Sequence, residues 1–516
     1  MSLHVDRRGF VAGTTAVALN GLGDFRFLQT LPPLRADEVQ PRHSVVRLNA
    51  DMEPLVRFLE TTPKNRIVAA TVEKIRAGTT YQQLLGALLL AGVRNVRPRP
   101  VGFQFHTVLS VNSAHLASIS AQDRDRWLPL LWAVDNFKSS EARDQRENNW
   151  TMPPVNESRL PEARHARERF IHAMDNWDRE AADGAAAALV RSAGANEVIE
   201  LFWRYGARDF RDIGHKAIFV ANGSRALQTI GWRHAEPVIR SLADALLAHE
   251  GDNPARRNAA ADVPYRENLE RLRCFGRQWR TGLISADATR GLLATLRTAN
   301  PTNVCEELVR LVRGNAHPSS AWDALFLYAG ELLMRRPGIV GIHCVTTVNA
   351  LHYAYQTSTN DDTRKLMLMQ AAAFLPMFRA AMERRQRLRN DFLIDQLEPV
   401  DITARGNERI EEILQDVSRD RVQAARKTLT LLTHQTAPNA RSLMAGARRL
   451  IFTKGTNSHD YKFSSAALED FHHVTPDWRN RFLATAMFNL RGSRDQDNQL
   501  ITQAKRTLQR RVDDEG

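Results

Sequence analysis

The chain of 516 residues is 43% apolar and 25% charged, a composition that fits a globular protein with a large core and excludes a disordered or membrane-embedded one. Its 71 Lys and Arg against 58 Asp and Glu leave a net charge of +13, spread along the chain rather than gathered into a basic patch, so no nucleic-acid partner is expected. Three cysteines without CxxC spacing exclude a disulfide framework and a zinc ribbon, and no apolar run reaches the length of about 18 residues that a spanning helix needs.

At the N-terminus, "DRRGFVAGTTAVALNGLG" sets Arg7, Arg8 and Phe10 before a short, weakly apolar stretch. The segment resembles a twin-arginine export signal, which implies delivery to the periplasm in a folded state. Asp6 stands where Ser or Thr is common, and no A-x-A site precedes Pro32-Pro33; a chance arginine pair on a cytoplasmic protein is the alternative. Residues 1–45 therefore read as signal and linker, and 46–516 as one large domain.

From residue 50 onward, "MEPLVRFLETT", "TYQQLLGALLLAGV", "DRWLPLLWAVDNF", "EPVIRSLADALLAHE", "CEELVRLVRG", "SSAWDALFLYAGELLM", "RKLMLMQAAAFLPMFRAAMERR" and "RFLATAMFNL" carry apolar residues at three- and four-residue spacing. No alternating strand or hairpin signal competes, so the fold class is all-α. Self-comparison divides the chain into four weak repeats, each an apolar helix, a connection rich in Gly, Pro, Asn or basic residues, a histidine opening a new helix, and a closing apolar helix. The histidines are His106, His215, His343 and His459, separated by 109, 128 and 116 residues. Repeats packed around a common axis bring equivalent positions together, so these four imidazoles are the candidate ligands of a metal at a central site.

Helix geometry separates ligands from bystanders, because each residue advances about 100° and 1.5 Å. His115 and His352 lie nine residues past a repeat histidine and face away, as does His472; His473 returns to the near side but about 21 Å along the axis. Asn112, Asn222 and Asn349 recur six or seven residues after their histidines and read as buried groups holding neighbouring backbone. Small residues predominate on the histidine face of the first and third repeats, among them Ser110, Ser113, Thr346, Thr347 and Ala350, leaving room for a substrate or for close packing. The aromatic residues Phe103, Phe105, Phe219, Tyr353, Tyr461 and Phe463 can flank a planar molecule or fill the core.

In "SHDYKFSSAALEDFHH", Lys462 follows His459 by three residues and shares its face. Two readings stand: the lysine snorkels to solvent or pairs with Asp460 or Glu469, or it joins the metal as a free amine or as a carbamate formed with carbon dioxide. The order of four widely spaced histidines in a helical chain, the last in an H-x-x-K context, resembles the questin oxidase-like family of anthraquinone ring-cleaving non-heme iron dioxygenases. The resemblance implies an Fe(II) site formed by His106, His215, His343, His459 and a carboxylated Lys462, acting with dioxygen on an aromatic or quinone-like substrate. Imidazoles also suit other divalent transition metals. Two rival readings are a non-catalytic helical scaffold, which expects the histidines far apart, and a zinc hydrolase with Asp212 or Asp460 as base. No HExxH, GxSxG or P-loop motif is present, and the oligomeric state is not legible.

Overall fold

The computed structural model describes residues 45–509 apart from 100–102, 148 and 434–436, with the side chains of 103–108 and 437–438 also left undescribed. Arg7 and Arg8 therefore lie outside the described residues, as do the side chains of Phe103, Phe105 and His106. The protein is all-α: among the described residues there are 22 α-helices and no strand beyond one isolated bridge between Leu283 and Ala316. Among the described residues no helix is long and apolar enough to cross a membrane.

Local chemistry accounts for the helix boundaries. Thr80 and Gln83 form a reciprocal capping box that opens Tyr81–Asn95, whose run from Leu84 to Arg94 is buried throughout. Asn300 and Asn360 cap the helices Pro301–Arg313 and Asp361–Glu383 by accepting from the backbone N–H three residues on. Buried apolar residues from Val46 to Ala504 join one connected core. Truncating a fully buried leucine of that core, such as Leu88, is expected to cost about 2–5 kcal/mol.

Four helices position the candidate site: Phe103–Ile119, His215–Ile230, Ile339–Thr357 and Ser458–Asp470. They pack in a closed cycle, each against the next and the last against the first. Cross-links show that they run the same way. The Asn112 amide donates to the Asn222 side chain at 2.9 Å, the Ser465 hydroxyl to the Ser113 carbonyl at 3.3 Å, Asn349 to Glu469 at 2.8 Å, and the Tyr353 hydroxyl to Gln228 at 3.1 Å. Both members of each pair stand at similar distances past their own histidine, within about one helical turn, which antiparallel neighbours could not sustain. Tyr81–Asn95, Leu128–Glu147, Ala195–Gly206 and Pro318–Arg335 pack outside this ring. They remove its histidine-bearing end from water.

Candidate metal centre

His215 opens its helix straight after a backbone turn of unusual conformation. Asp212, Ile213 and Gly214 have φ of 56°, 49° and 81°, three successive left-handed residues. A β-branched residue there is a genuine outlier, and such conformations persist only where their surroundings over-determine them. Behind the turn, Asp209 is fully buried and accepts from the Lys216 ammonium at 2.8 Å and from the Arg211 backbone at 2.9 Å. Burial pushes the Asp209 carboxyl up, but Lys216, Arg208 and Arg211 outweigh it and hold the group below the usual carboxylate range. Arg211 is in turn clasped by both oxygens of Asp262. In front, a Cβ on Gly214 would fall 2.1 Å from Thr347 Oγ1, so only glycine lets the His343 helix approach. The turn aims the Asp212 carbonyl at His215 Nδ1, 2.5 Å away.

His343 is held in the same manner by its own helix, its Nδ1 lying 2.7 Å from the Ile339 carbonyl. A carbonyl oxygen only accepts, so both Nδ1 atoms carry the proton, and in a neutral ring each Nε2 then presents a lone pair. Those two Nε2 atoms face each other at 2.9 Å, with ring centroids 4.3 Å apart. Two lone pairs at that separation repel unless a positive centre is shared between them. A proton is a poor one here. Burial lowers the affinity of His215 for a proton to a pKa of about 3, with Lys462 and His459 acting in the same direction, and burial with His215 and Lys462 takes His343 well below the ordinary imidazole value.

His459 stands beside this pair, its ring centroid 5.2 Å from that of His343 in an edge-on arrangement. Its position is fixed by a capping box: Asn457 accepts from the His459 backbone N–H at 2.9 Å, while Asp460 accepts from the backbone of Thr456 and Asn457. Burial, with Lys462 acting in the same direction, lowers the His459 pKa to about 3. Lys462 is 3% exposed, so it does not snorkel to solvent. The carboxylates once expected to pair with it are engaged elsewhere, Asp460 with Arg491 at 2.7 Å and Glu469 with Arg225 at 2.9 Å. Burial takes the Lys462 amine well below its ordinary value.

A small cavity lies between the four ring helices, lined by Lys462, Ser113, Ile218, Thr346, Ala350 and Arg225 among others. About 20 Å³ of it is open to the centre of a water molecule, room for about one water. The small residues on the histidine faces thus leave a space sized for a diatomic molecule or a water.

No family model matches the chain, and comparison with curated proteins and with solved structures finds no significant similarity. Whatever is said of the site rests on its own residues. Among the described residues no group of three or more His, Cys, Asp or Glu side chains is closed up as a metal-ligand set. The described residues bring His215 and His343 into contact, set His459 beside them and bury Lys462 where it acts on all three.

The residues set aside on helix geometry have other partners. His115 meets the Tyr81 hydroxyl at 3.2 Å, and His352 packs edge-on to Trp322 and Phe326 with its ring 4.7 Å from that of His473. The asparagines depart from expectation: Asn112 bonds Asn222, and Asn349 bonds Glu469 and Asp470, so they tie side chains of neighbouring helices rather than backbone. They sit between parallel helices whose backbones are already bonded internally. Asp460, a candidate base for a hydrolase, is consumed by its capping and its arginine. The strained Asp212–Gly214 turn was missed by pattern reading; the glycine immediately before His215 was its one sequence signal.

Proposed function

We propose that the chain is a metal-dependent oxidoreductase, a non-heme Fe(II) oxygenase that acts with dioxygen on an aromatic or quinone-like small molecule. His215 and His343 are its central ligands, with His106, His459 and Lys462 completing the set. The observation that carries this reading is the Nε2 pair 2.9 Å apart with both Nδ1 protons given to carbonyls. Two imidazoles bound at about 2.1 Å and at right angles to one divalent ion have their nitrogens about 3 Å apart, and ligating histidines characteristically donate their other N–H to a carbonyl or carboxylate. The His215 and His343 pair thus supports a shared ion. A scaffold with dispersed histidines gives no reason for this contact.

Ferrous iron held by these residues would supply the one-electron chemistry that activates dioxygen. The chain's own part is to orient the imidazoles, exclude bulk water and set the charge. An uncharged Lys462 amine is nucleophilic toward carbon dioxide: the C–N bond forms, Nζ releases a proton to solvent, and an anionic carbamate results. His215 and His459 stand in the first turns of their helices, whose N-terminal ends favour such an anion. The cavity beside Lys462 has room for a water or a diatomic molecule only, and it is assigned to dioxygen.

Anaerobic loading of the full chain with Fe(II), followed by metal analysis, tests the site. About one iron per chain is expected, with less than about a tenth of that in His215→Ala and His343→Ala while their far-ultraviolet dichroism stays near that of the parent. Iron retained by both variants would overturn the assignment. The carbamate is checked by equilibration with ¹³C-labelled carbon dioxide, which should give one slowly exchanging carbonyl resonance in the parent and none in Lys462→Ala.

A further inference from the structure

A second pocket opens where the helices His215–Ile230 and Ile339–Thr357 end, against Ala195–Gly206. Its volume of about 180 Å³ compares with the roughly 150 Å³ at which an apolar cavity accepts a benzene ring. Trp203 and Trp232 supply aromatic surface, Ile199 and Leu227 aliphatic surface, and Asn196, Ser224 and Gln228 polar groups.

The charge of the lining is one-sided. Glu200 lines the pocket, and no lysine or arginine does so, in a chain of net charge +13. The Glu200 oxygens accept from the Ser358 hydroxyl at 2.9 and 3.0 Å and from the Thr359 backbone at 3.1 Å, partners that carry no charge. These bonds fix the carboxylate without neutralising it. Two guanidiniums stand near and have other partners: Arg204, one turn on from Glu200, donates to Thr363 at 2.9 Å and Asn360 at 3.4 Å, and Arg225 lines the other cavity and lies 4.0 Å over the Tyr353 ring. Tyr353 forms the partition: its ring meets Trp203 edge-on at 5.7 Å and its hydroxyl donates to Gln228 at 3.1 Å.

We propose that this pocket binds a small organic cation, an ammonium carried on a single ring or a body of similar size. The indoles of Trp203 and Trp232 hold the body, and Glu200 receives the charge. Indole faces attract an ammonium, more strongly when the site is partly desolvated, and a fixed carboxylate makes a charge-assisted hydrogen bond to it. An anionic ligand meets the opposite field. The site does not depend on a metal at the histidines.

Calorimetric titration of the full chain with benzylammonium, benzyl alcohol and benzoate tests it. Benzylammonium should bind one per chain, benzyl alcohol about tenfold or more weakly, and benzoate not measurably. Glu200→Gln should bring benzylammonium down to the affinity of the alcohol while leaving the alcohol within about twofold, and Trp232→Ala should weaken both. Chelator-treated and iron-loaded protein should give the same benzylammonium affinity, so this result stands or falls apart from the metal reading. Equal binding of all three probes, no binding of any, or a benzylammonium affinity indifferent to both substitutions would overturn the proposal.

Discussion

Gly214 concentrates two constraints in one residue, a left-handed φ of 81° and a Cβ position already occupied by Thr347. An alanine there must adopt a conformation costing roughly 1–2 kcal/mol and push back the helix that carries His343. Gly214→Ala is expected to lower stability by at least about 2 kcal/mol and to weaken metal uptake at the same time, read as a shifted denaturant midpoint and a lost iron signal. A variant that loses stability but keeps full iron occupancy would separate the turn from the site. Lys462 is the residue on which the carbamate reading turns, buried at 3% exposure. Lys462→Met should abolish carbamate formation while leaving the far-ultraviolet dichroism near that of the parent, and a labelled carbonyl resonance that persists in the variant would contradict the assignment.

At the scale of elements, Asp323 joins two helices: from within Pro318–Arg335 it accepts the backbone N–H of Thr475 at 2.9 Å and its hydroxyl at 2.6 Å, at the start of Pro476–Ala486. Burial pushes its carboxyl up to about 6, the bonds from Thr475 only partly opposing this. A raised carboxyl binds its proton more tightly folded than unfolded, so its contribution is fully present below the unfolded value of about 4 and is lost as pH rises through about 6. The loss amounts to at most about 3 kcal/mol. Comparing denaturant midpoints of the parent and Asp323→Asn between pH 4 and 7 isolates it: the parent should lose stability relative to the variant across that window, and parallel curves would refute the assignment. Elements of this kind were legible where burial follows a period. The runs around Leu84, Leu130 and Leu325 repeat apolar residues every three or four positions, and each became a helix. The candidate site was legible only in part. The histidines announced themselves by position, but the His215–His343 contact joins residues 128 apart, and no local pattern encodes such a distance. Of the two readings of Lys462, the one that takes it to solvent failed for the same reason, since the residue is buried among helices distant in sequence.

The whole molecule is organised by that closure. The four ring helices come from widely separated parts of the chain and are held by packing against one another and the core around them rather than by short loops between them. At their histidine end the described groups oppose neat packing: two imidazole lone pairs face each other and a lysine is buried. An ion bound between the rings would convert that repulsion into a tie across three or four helices, and it would bind the folded chain alone, because unfolded the ligands are scattered. Linkage then makes stability depend on free metal, by about 4 kcal/mol at a thousand times Kd. Scanning calorimetry of the chelated chain with increasing Fe(II) under nitrogen should show Tm climbing with the logarithm of free metal by several degrees in all. The climb should vanish in His343→Ala, whereas a parent Tm that stays flat would mean that the ring closes without an ion at its centre.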